Sequence, residues 1–238
     1  KWNTSNVNNM SGMFYNCSSL KELDLSKFNT ENVLSSKKLF SNCESINTLD
    51  ISNFNFVNNK DISEMFAGCK ALITIKLSNN LNTKNVINMS GLFEECTSLE
   101  NIDDVNMLNT ANVIDMSNMF KDCIALKELN LKFNTEKVIN MSRMFQACTG
   151  LNTSLNIKSF NTTNVKDMTK MFEFYDLTEL DISGLKTDNV LYMLDMFADM
   201  KNVISLDVSG FNTINVIDMA GMFYGCSRLK ELNVKNFN

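Results

Sequence analysis

Hydrophobic positions along this chain recur in a fixed order. A Val is followed at three-residue steps by Met and Met-Phe, then by Cys, Leu and Leu, as in Val113, Met116, Met119, Phe120, Cys123, Leu126 and Leu129. Anchoring on the aromatic gives Phe14, Phe40, Phe66, Phe93, Phe120, Phe145, Phe172, Phe197 and Phe223, with gaps of 26, 26, 27, 27, 25, 27, 25 and 26 residues. A constant period in this range marks a solenoid, in which each unit buries its apolar face against its neighbours.

Within one unit, Leu20 to Ser26 alternates apolar and polar residues, as do Ile46 to Ser52, Leu177 to Ser183 and Val203 to Ser209. Such alternation predicts a short half-buried strand, and copies stacked in register would form a parallel sheet of about 45 Å for nine rungs. The span from Val7 through Met10, Met13, Phe14 and Cys17 places apolar residues every three to four positions, which predicts a short helix. Ser11, Ser63, Ser90, Ser117, Ser142 and Thr169 stand three residues before the anchor Phe, where a hydroxyl can cap that helix. Spacings nearer 3 than 3.6 also suit a 3₁₀ or extended turn, so an all-β solenoid is the alternative. The fold class expected is therefore α/β, with about nine repeats of 25–27 residues, one parallel sheet face and short helices on the other. Residues 1–238 read as a single array that begins and ends mid-unit, because Trp2 and Phe237 occupy the same column. Exposed ends of such a stack would favour end-to-end self-association.

The consensus of Met-Phe, Cys, paired Leu, Asp-Leu-Ser, Phe-Asn-Thr and Asn-Val resembles the BspA-type leucine-rich repeats. The resemblance is to their Met-rich subgroup, known as a domain of unknown function in mollicutes and lactobacilli, and it covers essentially the whole chain. It implies a right-handed leucine-rich solenoid on a bacterial cell surface or secreted, often carried as a lipoprotein. Adhesion to host or extracellular matrix proteins is the usual role assigned there, and no catalytic residues come with it.

Composition narrows the chemistry. With 22 Lys plus Arg against 27 Asp plus Glu the chain carries a formal charge of −5, which disfavours nucleic acid and fits basic partners better. No apolar run approaches the length of a membrane span. Cys17, Cys43, Cys69, Cys96, Cys123, Cys148 and Cys226 each follow an anchor Phe by three residues. They read as a column of buried thiols, although neighbouring rungs lie within disulfide reach. Without His or a paired Cys motif, neither a metal nor another cofactor is expected. Fourteen of the 16 Met residues occupy two core columns, where Met serves as packing material. Asn29, Asn55, Asn82, Asn109, Asn134, Asn161 and Asn212 form a column suited to satisfying turn backbone.

Two interaction surfaces are candidates. One is the outward strand face, with Glu22, Asp24, Asp50, Asp103, Glu128, Glu179, Asp181 and Asp207. It is either a solvated surface that discourages stray pairing or a face that meets a basic partner. The other is the break in the pattern around Tyr175 and Tyr192, where aromatic residues stand at Cys and Asn or Asp positions, with Phe174 nearby. Such bulk marks either an interaction patch or drift in a degenerate array. The expected function is non-enzymatic protein recognition or adhesion, and the alternative is a structural spacer displaying another domain. An active site would need an asymmetric cleft, whereas Asp and Cys here lie in repeated columns.

Overall fold

The structure, a computed structural model, describes residues 3–77, 81–151, 155–178 and 180–238. The chain is a repeat solenoid. Its coils are joined by two parallel backbone ladders and by a third set of bonds along the anchor turns.

The most continuous ladder runs along the Val side of each coil. Single parallel bridges connect Asn9, Ser35, Asp61, Asn88, Asp115, Asn140, Asp167, Tyr192 and Asp218 without interruption. Val33, Val86, Val113, Val138, Val165 and Val190 precede this ladder and are fully buried. The second ladder is the predicted strand face, and among the described residues it consists of three separate strand pairs. Strand β1 (Thr48–Asp50) pairs with β2 (Thr74–Lys76), β3 (Leu129–Asn130) with β4 (Leu155–Asn156), and β5 (Ser205–Asp207) with β6 (Glu231–Asn233), all parallel and in register.

The helix expected from Met through Cys is absent. Among the described residues the only helical segment is a 3₁₀ turn at Val105–Met107. Two residues per coil adopt the left-handed conformation, two before and two after the anchor Phe: Gly12 and Asn16, Lys38 and Asn42, Asn118 and Asp122, and so on to Gly221 and Gly225. A left-handed residue reverses the twist a helix would propagate. The N–H groups of Gly12, Phe14 and Asn16 instead point along the stack and donate to the carbonyls of Lys37, Leu39 and Ser41 at 2.8 to 2.9 Å. Residues between them close tight turns, Tyr15 N–H donating to the Gly12 carbonyl at 3.0 Å. A helix would consume these amides internally, so stacking and helix formation compete, and the stack wins.

The Ser column consequently caps nothing. The preceding Asx residue does the work: Asn9, Asp61, Asp115 and Asp167 accept the N–H two residues on, at 2.8 to 2.9 Å. The Asn29 column acts in the same way, as in the bond from Glu31 N–H to Asn29 Oδ1 at 2.9 Å, and so meets its expectation. A Thr beside it is buried in most coils. Thr135 Oγ1 accepts the N–H of Asn161 at 2.7 Å and donates to the carbonyl of the same residue at 3.0 Å, closing both groups of the next coil with one hydroxyl.

The core is a set of columns, each packing on itself. Rings of the anchor Phe residues stack from Phe14 to Phe223 with centroids 5.5 to 5.9 Å apart and planes within 13° of parallel. Every cysteine is free. From Cys43 to Cys148 the thiols are buried, and each Sγ donates to the carbonyl of the previous coil's anchor Phe at 2.9 to 3.2 Å. Burial pushes Cys43 up to about 11 and Cys69 to about 12, and raises Cys96, Cys123 and Cys148 well above the ordinary thiol range. Since the thiolate is the reactive form, a disulfide-forming reagent should label exposed Cys17 rapidly and Cys226 more slowly. The five buried thiols should react only on unfolding; fast modification of all seven by mass spectrometry would contradict this packing. Among the described residues no helix is long and apolar enough to cross a membrane.

Candidate functional site

The fourth coil interrupts the strand face. It carries one residue more than its neighbours between Ile102 and Val105, where Ile75 to Leu77 and Leu129 to Leu131 hold a single residue, and the excess is absorbed where Asp104 turns left-handed (φ 59°) into the 3₁₀ turn at Val105–Met107. Val105 drops into the core position that Leu25 holds in the first coil. Asn106 then substitutes for strand backbone: its Nδ2 donates to the Asn130 carbonyl at 2.9 Å and its Oδ1 accepts the Lys132 N–H at 2.7 Å.

Because the coil swings out of the sheet here, a cleft of about 450 Å³ opens over Asp103, Asp104, Met107 and Glu128. It shares Asp103 and Asp104 with a second cleft of about 420 Å³ above β1 and β2. Toward the other end it shares Glu128 and Asn130 with a third, of about 450 Å³, that reaches Lys158 and Asp181. The three merge into one groove along the strand face.

Charge in that groove is uneven. Asp50 pairs with Lys76 at 3.0 Å at one end, and Asp181 with Lys158 at 3.3 Å at the other. Between them Asp103, Asp104 and Glu128 make no side-chain hydrogen bond or ion pair among the described residues. Among the described residues no group of three or more Cys, Asp or Glu side chains is placed to hold a metal ion, so these carboxylates face solvent as separate charges.

The rest of the acidic column has internal work. Asp24, Asp50, Asp181 and Asp207 each accept the N–H of the Ser two residues on, at 2.8 to 3.2 Å, which ends the strand in a turn. The Ser52 hydroxyl and N–H, helped by the Lys76 ammonium, hold Asp50 down at about 2. Asp24, Asp181 and Asp207 are lowered too, first by the hydroxyls of Ser26, Ser183 and Ser209. A carboxyl depressed on folding adds stability above its unfolded value, and that contribution disappears as pH falls through the folded one. Acid unfolding should therefore retain a pH-dependent component between about pH 4 and pH 2 that Asp50→Asn reduces. An unchanged acid limb in urea titrations of that variant would refute the assignment. The effect is small, because the pair is solvent-exposed.

Other predicted residues are scattered. Glu22, Asp24 and Asp207 are exposed on the strand face but do not line the groove, and Glu179 lies outside the described residues. The aromatic patch does not exist as one surface. Tyr175 is completely buried, edge-on to Phe172 at 6.0 Å, with no partner for its hydroxyl among the described residues; it fills the Cys column, because a core slot between coils accepts a ring more readily than it accepts water. Tyr192 is partly exposed on the continuous bridge ladder, on a different side of the coil. Sequence reasoning missed Asp104 and Asn106, whose signal is the doubled Asp at the added residue.

The family model described as "Mycoplasma protein of unknown function, DUF285" matches residues 1–100, 73–174 and 152–238. The chain belongs to the DUF285 family. That is the domain of unknown function its Met-rich repeat resembles. No curated protein matches this DUF285 chain. Among solved structures it is similar to a leucine-rich cell surface protein from Faecalibacterium prausnitzii, with 14% identity and a TM-score of 0.41 over 96% of this chain and 68% of that one. It is also similar to a leucine-rich repeat protein from Bacteroides ovatus, with 17% identity and a TM-score of 0.43 over 94% of this chain and 63% of that one. The DUF285 chain thus spans about two thirds of the length of each.

Proposed function

We propose that this array is a non-enzymatic recognition surface of a secreted or cell-surface bacterial protein, and that it holds a basic segment of a host or extracellular matrix protein in the strand-face groove. The observation that carries this reading is the unpaired trio Asp103, Asp104 and Glu128 at the groove's centre, between ends neutralised by Lys76 and Lys158. A fold that needed these carboxylates would have bonded them, as it does Asp24 and Asp207. Uncompensated charge in a concave surface attracts an opposite charge and speeds its encounter.

The turn-forming role of the other Asp residues favours a second reading, in which the array is a rigid spacer and its acidity serves solubility. Surface plasmon resonance of the soluble chain against host matrix and serum proteins, at low and high salt, separates the two. Recognition predicts saturable binding that salt weakens and that the double reversal Asp103→Lys, Glu128→Lys reduces at least about tenfold, the equivalent of 1.4 kcal/mol. Binding indifferent to both removes the groove from consideration. Silence across the panel favours the spacer.

A further inference from the structure

Phe174 is the unusual member of its column. The residue two after the anchor Phe is left-handed in every coil, and elsewhere it is Asn16, Asn42, Gly68, Glu95, Asp122, Ala147, Asp199 or Gly225. Small or polar residues tolerate that conformation, whereas a bulky aromatic is strained there. Phe174 nevertheless adopts φ 57° and is 43% exposed. Strain kept at an exposed aromatic is a reason to look for a ligand.

The ring lines a cleft of about 280 Å³ with Thr149, Asp176, Asp199, Lys201 and Asn202. Phe174 and Asp199 occupy the same column on adjacent coils, tied by the bond from Phe174 N–H to the Ala198 carbonyl at 2.9 Å. The Asp199 carboxylate makes no side-chain hydrogen bond or ion pair among the described residues. Its Oδ1 fills the space beside Gly225, 2.5 Å from where a Cβ would stand. Asp176 accepts one bond from Asn202 Nδ2 through Oδ1, and its second oxygen has no partner among the described residues. Lys201 sets one cation against the two carboxylates.

An exposed ring beside two carboxylates with free oxygens attracts a cation, and the planar cation that both stacks on a ring and forks onto a carboxylate is guanidinium. We propose that the Phe174 cleft is a binding site for an arginine side chain presented by a protein partner, separate from the strand-face groove. It shares no lining residue with the groove, so it stands whether or not the groove binds anything.

The test is amide NMR of the full chain titrated with a capped Gly-Arg-Gly tripeptide, with capped Gly-citrulline-Gly as the uncharged control. Saturable shifts are expected at Phe174, Asp176, Asp199 and Asn202 with the arginine peptide and not with the control. Phe174→Asn and Asp199→Asn should each abolish them. Both variants are expected to fold, since Asn16 and Asn42 already occupy this position in the first two coils. Absence of saturable shifts at Phe174, equal shifts with citrulline, or shifts that survive in both variants would overturn the proposal. Shifts confined to Asp103 and Glu128 would overturn it while supporting the groove.

Discussion

Replacing Phe120 with Ala should lower the unfolding free energy by about 3–5 kcal/mol, the range for deleting a fully buried aromatic ring. Its ring is inaccessible to solvent and lies between those of Phe93 and Phe145, 5.9 Å from each. Both interfaces of the central coil weaken together, and in a stack whose units touch only their neighbours no other contact compensates. Urea unfolding followed by circular dichroism should therefore show a lower midpoint. The transition should also broaden or divide, because the coils on either side lose the coupling that makes them melt together. Phe223→Ala should cost less, since that ring is only partly buried and stacks on Phe197 alone among the described residues. A loss below about 1 kcal/mol at Phe120, far under the usual cost of such a cavity, would mean that the ring column is not what couples the coils.

The second large effect is a coupling. Ser36 stands in a column of Met, and Asn59 in a column of Val, yet both are fully buried. They belong to adjacent coils and satisfy each other: Asn59 Nδ2 donates to Ser36 Oγ at 2.8 Å, and Asn59 Oδ1 accepts the Asp61 N–H at 3.0 Å. Ser36→Met alone would strand a buried amide, and Asn59→Val alone would strand a buried hydroxyl. Each is expected to cost about 1–3 kcal/mol, the penalty of an unsatisfied buried polar group. Restoring the apolar consensus at both positions removes the polar groups together, so the double variant should be more stable than either single one. A double-mutant cycle by urea denaturation measures this directly, and additive single costs would show that the two positions are independent. Ser36 and Asn59 thus form a matched polar pair across the second and third coils.

These cases mark how far the sequence can be read. The period, the in-register columns and the buried identity of Val, Met, Phe, Cys and Leu were legible because each side chain in a stack faces its own kind in the next coil. The Asn29 column was legible because an Asx turn is local, closing over two residues. The missing helix was not. Its apolar spacing is compatible with both structures, and the overlooked sign was the Gly, Ala, Asn or Asp two before or two after most anchors, such as Gly12 and Asn16 or Gly221 and Gly225. Lys38, Glu64, Glu95, Arg143, Lys170 and Phe174 hide that sign, since ordinary side chains take the left-handed turn there.

The acidic face divides along the same line. From sequence, Asp24, Asp103 and Asp207 are equivalent members of one column. In the folded chain Asp24 and Asp207 close turns, while Asp103 stands free in a groove that one added residue opened. Tyr175 and Phe174 are adjacent in sequence, yet one is sealed in the core and the other faces a cleft. The sequence by itself determined that this protein is a stack and which residues form its interior, because a repeated coil can bury a column only against its own copies. The tertiary structure alone decided how the backbone turns at each anchor and which charges remain unpaired. Those outcomes depend on bonds to groups about one coil away, whose position no local pattern records.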